Sequence, residues 1–244
     1  ACGLNNTDVN TRTAWYSKGV SENTTGGAFD SADDEDATWG GAPITFPRIQ
    51  GADVCGIVVA GPDKLMGRRV LIETWMRDWD DPLNMAKTGY FGSECDGGFA
   101  EYVKVDERNV HAVDSALSDA ELATFATSWI TAENMLNRAN VAAGDQVLIP
   151  GASGGVGSAL IQLANRRGAM TIAMAGKSKH GAVAGFDPHA ILDRGPADLK
   201  QALKKAIGRD TVSVVADVVG GDYWPQLIDV LDRGGRYTCA GAIA

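Results

Sequence analysis

The sequence predicts an α/β protein in two parts: an irregular, mostly β first half, then a doubly wound parallel sheet. Three observations predict it. From about Leu117 onward, strand-like and helix-like segments alternate, the pattern that builds a parallel sheet with helices on both faces. A glycine-rich heptapeptide, residues 151–157 (GASGGVG), sits where one of those strands passes into a helix. Ahead of Leu117 the apolar runs are short and are separated by Gly-rich breaks such as Gly97 and Gly98.

In chain order, residues 17–43 form an acidic stretch, with Glu22, Asp30, Asp33, Asp34, Glu35 and Asp36 against a single Lys18. It reads as a solvated loop, or as a lid over a substrate mouth. Strands are expected at 53–60 and 68–73, and a half-buried strand at 99–105, where apolar and polar residues alternate. Ser118 and Glu121 have capping-box spacing ahead of an apolar helix. Strands then follow at 146–150, 170–175, 190–193, 212–219 and 235–240, with helices at 155–167, 198–207 and 223–231. The division expected from this pattern is 1–114 and 115–244.

The 244 residues suffice for one large domain or two small ones. A net charge of -9 disfavours nucleic acid and anionic membrane as partners. No 18-residue apolar run reads as a transmembrane helix, and no N-terminal stretch reads as a signal peptide. Cys2, Cys55, Cys95 and Cys239 are scattered and form no C-x-x-C pair. They are expected to be reduced, mostly buried thiols of a cytoplasmic protein.

The turn at 151–157 carries the chemistry. Gly154 and Gly155, flanked by Ser153 and Val156, allow close backbone approach to a pyrophosphate, and Gly157 allows tight packing of the helix. The helix N-terminus then offers free N–H groups and partial positive charge. The context therefore predicts a dinucleotide site. An NAD site usually has Asp or Glu at the end of the following strand, where the ribose hydroxyls arrive. Here residues 173–179 read AMAGKSK, with no carboxylate, and Lys177, Ser178 and Lys179 favour the 2′-phosphate of NADPH. If the lysines are only solvated turn residues, NAD remains possible.

Further segments make the pattern specific: 3–8 (GLNNTD) with Tyr16, 51–56 (GADVCG), 97–102 (GGFAEY), 131–134 (TAEN), 217–221 (DVVGG) and 234–237 (GGRY). Together with GASGGVG, and in this order, they resemble the zinc-independent quinone and enoyl reductase branch of the medium-chain dehydrogenases. The resemblance covers most of the chain. It implies a GroES-like catalytic domain and a Rossmann domain, both partial, with strands expected before Ala1 and sequence expected beyond Ala244. It also implies a homodimer for the full-length protein.

Zinc members of the superfamily hold the metal with Cys, His and Cys. By the same resemblance those positions fall on Asn5, Ala52 and Thr127, so no metal is expected, and Cys2 reads as a small buried hydrophobe. His111, His180 and His189 lie outside these motifs and are expected to cap or to face solvent. The resemblance further assigns Tyr16 as proton donor, Asn5 as a contact to nicotinamide or substrate oxygen, Thr131 as a contact to the carboxamide, and Gly241 and Ala242 as the loop beneath the nicotinamide. Asp8 is expected to order backbone. The function implied is NADPH-dependent hydride transfer to a quinone or α,β-unsaturated carbonyl compound. The alternatives are a zinc alcohol dehydrogenase with atypical ligands and a non-catalytic NADPH-binding protein.

Overall fold

A computed structural model describes residues 1–20, 34–36, 38–41, 43–84 and 87–241. Most of the acidic stretch at 17–43 lies outside the described residues, as does Ala242. The chain forms two compact units, Ala1–Thr127 and Ser128–Ala244.

The first unit contains β1 (Cys2–Gly3), α1 (Asn6–Arg12), β2 (Asp53–Ile57), β3 (Arg69–Ile72), β4 (Trp75–Met76), β5 (Gly89–Tyr90), β6 (Val110–Ala112) and α2 (Asp119–Leu122). Its main sheet has the order β1-β2-β3-β6, every pair antiparallel. Val54, Ile72 and Phe91 form a small core. The expected strand at 99–105 is absent, because this segment joins no ladder among the described residues. Its alternation has another origin: Val103 and Val105 pack against that core while Ala100, Glu101 and Lys104 stay exposed.

Local signals explain the turns near β2. Asn5 caps α1 and accepts the N–H of Thr7, while the Asp8 carboxylate receives the N–H of Asn5, which closes a capping box. Asp8 also accepts the N–H of Gly51 at 3.1 Å and so orders backbone, as expected. A Cβ on Gly97 would lie 2.3 Å from the Gly51 carbonyl oxygen, so only glycine lets these two strands of backbone cross. Ser118 and Glu121 form the expected capping box, but α2 stops at Leu122, and the apolar helix is a separate element, α3 (Ala126–Arg138).

The second unit continues with β7 (Gln146–Ile149), α4 (Gly155–Arg166), β8 (Met170–Ala175), α5 (His180–Ala184), β9 (Ala190–Asp193), α6 (Leu199–Ile207), β10 (Val212–Asp217), α7 (Trp224–Asp229) and β11 (Leu231–Cys239). Its sheet runs β11-β10-β7-β8-β9 and is parallel throughout. This is a doubly wound Rossmann-type sheet, buried on both faces. Val147, Ile149, Ala173 and Val214 pack with Leu160, Ile161 and Met135 on one side. Leu148, Ile172, Met174 and Val215 pack with Leu203 and Leu227 on the other. Double burial explains why these strands read as continuous apolar runs.

At the end of β10, Asp217 is fully buried and accepts the Tyr237 hydroxyl at 2.5 Å and the N–H groups of Val219 and Gly220. Burial, then the hydrogen bond to Asp217 and its charge, push the Tyr237 phenol far above its usual range. Tyr237→Phe leaves one carboxylate oxygen short of a donor. It is expected to lower stability by about 1–3 kcal/mol, read as a reduced urea midpoint at unchanged slope.

Candidate functional site

The glycine-rich segment forms the expected strand–turn–helix junction. Gly151 has φ +68°, and a Cβ there would lie within 3 Å of Val218 and Val219 side-chain atoms. Gly154 is the N-cap of α4 and makes no side-chain cap, so the first N–H groups of a 12-residue helix keep their donor capacity. Ser153, Gly154 and Gly155 are exposed, and Val156 is half-buried. The three glycines differ in kind. A Cβ on Gly154 would meet nothing closer than 3.5 Å, which leaves that side open to a ligand. A Cβ on Gly155 would lie 2.5 Å from the Ser128 hydroxyl, and one on Gly157 would lie 2.3 Å from the Gly151 carbonyl oxygen. Gly157 thus serves close packing, while Gly154 serves access. An open, uncapped helix start behind a parallel strand fits the pyrophosphate of a dinucleotide.

Lys177, Ser178 and Lys179 form one 3₁₀ turn directly after β8, and all three are exposed. Thr131 is half-buried in α3, and Gly241 is exposed with φ +88° just past β11. His180 Nε2 lies 3.0 Å from the Ala175 carbonyl oxygen, and His189 Nδ1 accepts the N–H of Thr171.

In the first unit, two of the three positions matched to zinc ligands, Asn5 and Thr127, converge on one carboxylate. Asp53 is 2% exposed. It accepts the N–H of Thr127 at 2.6 Å and the Asn5 amide at 3.4 Å. The Thr127 hydroxyl lies 2.5 Å from the Tyr90 hydroxyl. Ala52, beside Asp53, is fully buried. Burial raises the Asp53 carboxyl above its usual range, and the bonds from Thr127 and Asn5 pull it back. Burial also pushes the Tyr90 phenol well up. Trp39 stacks on Tyr90 at 5.8 Å and meets Trp75 edge-on at 4.5 Å. Tyr16 is half-buried in the turn after α1, its hydroxyl bonded to Thr7 and Asn10 side chains, and burial raises its phenol.

An amide, a methyl group and a hydroxyl do not fit zinc, which takes thiolate, imidazole or carboxylate. Among the described residues no three His, Cys, Asp or Glu side chains assemble a metal site. Cys2 is half-buried rather than buried; burial and the charges of Asp8 and Asp53 push its thiol up to about 12, so it stays protonated. Of the four cysteines only Cys55 is buried and Cys239 is exposed, which corrects the expectation of mostly buried thiols.

Sequence reasoning brought together Asn5, Ala52 and Thr127 but missed Asp53 and Tyr90 as their partners. Asp53 carried a signal, being an acidic residue in an otherwise apolar strand. Tyr90 carried none, since its contact to Thr127 spans 37 positions. A groove of about 650 Å³ runs between the Val54, Ile57 and Val59 edge and the Tyr102, Val103 and Val105 segment. None of Asn5, Tyr16, Thr127 or Tyr90 lines it, so cavity size does not mark the polar cluster.

Comparison with known families agrees with the two-part fold. Residues 1–115 match the alcohol dehydrogenase GroES-like domain, and residues 155–244 match the zinc-binding dehydrogenase family. A zinc-type alcohol dehydrogenase-like protein of Schizosaccharomyces pombe is 31% identical over 209 residues, 83% of this chain and 55% of the relative. A quinone oxidoreductase of Sus scrofa is 28% identical over 199 residues, 81% of this chain and 56% of the relative. A solved alcohol dehydrogenase-type structure from Sinorhizobium meliloti is 41% identical with a TM-score of 0.81, covering 100% of this chain and 66% of that one. The chain spans about half the length of the curated relatives it matches. With both halves matched in order and the fold reproduced, the chain belongs to the medium-chain dehydrogenase/reductase superfamily of nicotinamide-dependent oxidoreductases.

Proposed function

We propose that the protein transfers hydride from NADPH to a quinone or an α,β-unsaturated carbonyl compound without catalytic zinc. The observation that carries this reading is the replacement of a metal-binding set by a hydrogen-bonded network: Asn5 and Thr127 both donate to Asp53, and Thr127 meets Tyr90. Such a site lacks the Lewis acid that an alcohol or ketone oxygen needs. An enone or quinone needs less, because its own conjugated oxygen accepts the electron density.

A bound reduced nicotinamide supplies the hydride. The chain's residues do the rest. The N–H groups at Gly155 and Val156 hold the pyrophosphate, with Ser153 at their edge, while Gly154, whose own N–H is bonded to the Gly151 carbonyl oxygen, keeps the approach open. Lys177, Ser178 and Lys179 take the 2′-phosphate, and two exposed ammonium groups favour it over a bare ribose. Thr131 and Gly241 orient the nicotinamide end, as does Ala242, which lies outside the described residues. Asn5 steadies oxygen, and the Tyr16 phenol delivers a proton; burial holds that phenol protonated at neutral pH, the form a donor requires. Full-length homodimers and a cytoplasmic setting complete the reading.

Steady-state NADPH oxidation against a panel of quinones and enones tests it. Turnover that survives a zinc chelator is the expected result, and no turnover with any acceptor rejects it. Activity that disappears with the chelator and returns with added zinc supports the atypical alcohol dehydrogenase instead. Cofactor binding with no hydride transfer to any acceptor supports a non-catalytic binding protein.

A further inference from the structure

The end of β8 is less purely basic than the sequence implies. Ala175, the last residue of β8, is the register partner of Asp193, the last residue of β9. Neighbouring strands lie about 4.8 Å apart, so this carboxylate stands beside the strand end where ribose hydroxyls are read. Its Oδ2 lies 3.4 Å from the Lys177 ammonium and its Oδ1 lies 3.3 Å from His180 Nε2. Oδ1 is buried and has no hydrogen-bond partner among the described residues, while His180 Nε2 also lies 3.0 Å from the Ala175 carbonyl oxygen. Arg194 is fixed at the same edge by its N–H bond to Ala175.

We propose that Asp193 sets the discrimination between NADPH and NADH: it holds Lys177 in an ion pair and places a negative charge beside the seat of the 2′-phosphate. This rests on the reading of residues 151–157 and 177–179 as a dinucleotide site. Lys177 is 84% exposed, and so solvent-screened a pair yields readily to a stronger anion. A 2′-phosphate carries up to about two charges and wins Lys177 from a carboxylate carrying one. It does so against the repulsion of Asp193, which a ribose hydroxyl does not feel. The site therefore prefers the phosphorylated cofactor by less than its two lysines alone dictate. Removing the carboxylate charge widens the preference.

Adenosine 2′,5′-bisphosphate and 5′-AMP serve as probes, since they differ only in the 2′-phosphate. Titrated calorimetrically into the whole chain, Asp193→Asn is expected to bind the bisphosphate about two- to fivefold more tightly and AMP no more tightly. Asp193→Ser provides the same test should the Asn variant fold poorly. In a Lys177→Ala background most of the gain is expected to vanish, as the coupling requires. An unchanged ratio of the two affinities, or a shift toward AMP, overturns the proposal. A gain that persists undiminished without Lys177 overturns the ion-pair mechanism. Failure of the parent chain to bind either probe rejects the dinucleotide reading itself and this inference with it, an outcome distinct from a parent that binds and a variant that does not change.

Discussion

Gly157→Ala is expected to destabilise the second unit by about 3 kcal/mol or more and to abolish dinucleotide binding with it. The added Cβ would lie 2.3 Å from the Gly151 carbonyl oxygen and 2.7 Å from the Ala152 Cα. Both are backbone atoms of the turn that α4 leaves, so no side-chain rotation relieves the clash. Ala152 and Ala159 on either side are fully buried, which leaves the helix no direction in which to move. Gly154→Ala is the informative partner. Its Cβ meets nothing closer than 3.5 Å, and its φ of -82° suits any residue. Stability is expected to change by less than about 1 kcal/mol, since the alanine meets neither strain nor crowding. Dinucleotide affinity is nevertheless expected to fall about tenfold, because the methyl group stands among the donors of the helix start and obstructs close approach of the pyrophosphate. Urea midpoints and NADPH fluorescence titrations separate the two effects. Equal loss of stability in both variants would mean that the turn is purely architectural.

The second large effect is catalytic. Tyr16→Phe is expected to lower the rate of enone reduction about 100-fold or more while leaving NADPH affinity within about twofold, the phenol being assigned to substrate rather than cofactor. The hydroxyl bonds to the side chains of Thr7 and of the buried Asn10 in α1, so the variant is expected to fold with a stability loss of about 1 kcal/mol. Tyr90→Phe makes the contrast. Tyr90 is 7% exposed, and its hydroxyl meets Thr127, which is in turn bound to the buried Asp53. Its loss is expected to cost about 1–3 kcal/mol of stability by unpairing a buried polar chain. Stopped-flow single turnovers and thermal melts report the two quantities independently. A Tyr16→Phe enzyme with undiminished turnover would transfer the donor role away from Tyr16.

The second unit was the more legible half because its physics is local. Strand and helix periods alternate cleanly, and β7, α4, β8, β9 and α6 begin or end within a residue or two of where apolar patterning placed them. Parallel strands buried on both faces leave no other reading for such runs. The β11 strand begins four residues earlier than expected, at Leu231. Glycines at 234 and 235 mask that start, since they weaken strand propensity while the neighbouring β10 supplies the ladder. The first unit was harder. At residues 99–105 an alternating pattern arises from packing without a ladder, a distinction that depends on neighbours far away in sequence. The apolar helix expected after Ser118 divides into α2 and α3, because the capping box nucleates only a single turn. Within the candidate site, each vacated ligand position was visible by resemblance, but the carboxylate that gathers two of them was not. Hydrogen bonds joining Asp53 to Thr127 across 74 positions leave no mark in local sequence. The same holds for Asp193, which reads as the polar end of a short strand until its register beside Ala175 is seen.

The proposed zinc-independent hydride transfer requires that this chain bind a nicotinamide dinucleotide without metal. Titration of NADPH into the purified chain, with and without a zinc chelator and followed by nicotinamide fluorescence, tests it most directly. Saturable binding with one equivalent per chain, unchanged by the chelator and displaced by adenosine 2′,5′-bisphosphate, is expected. An absence of saturable binding, or binding that appears only when zinc is supplied, would contradict it.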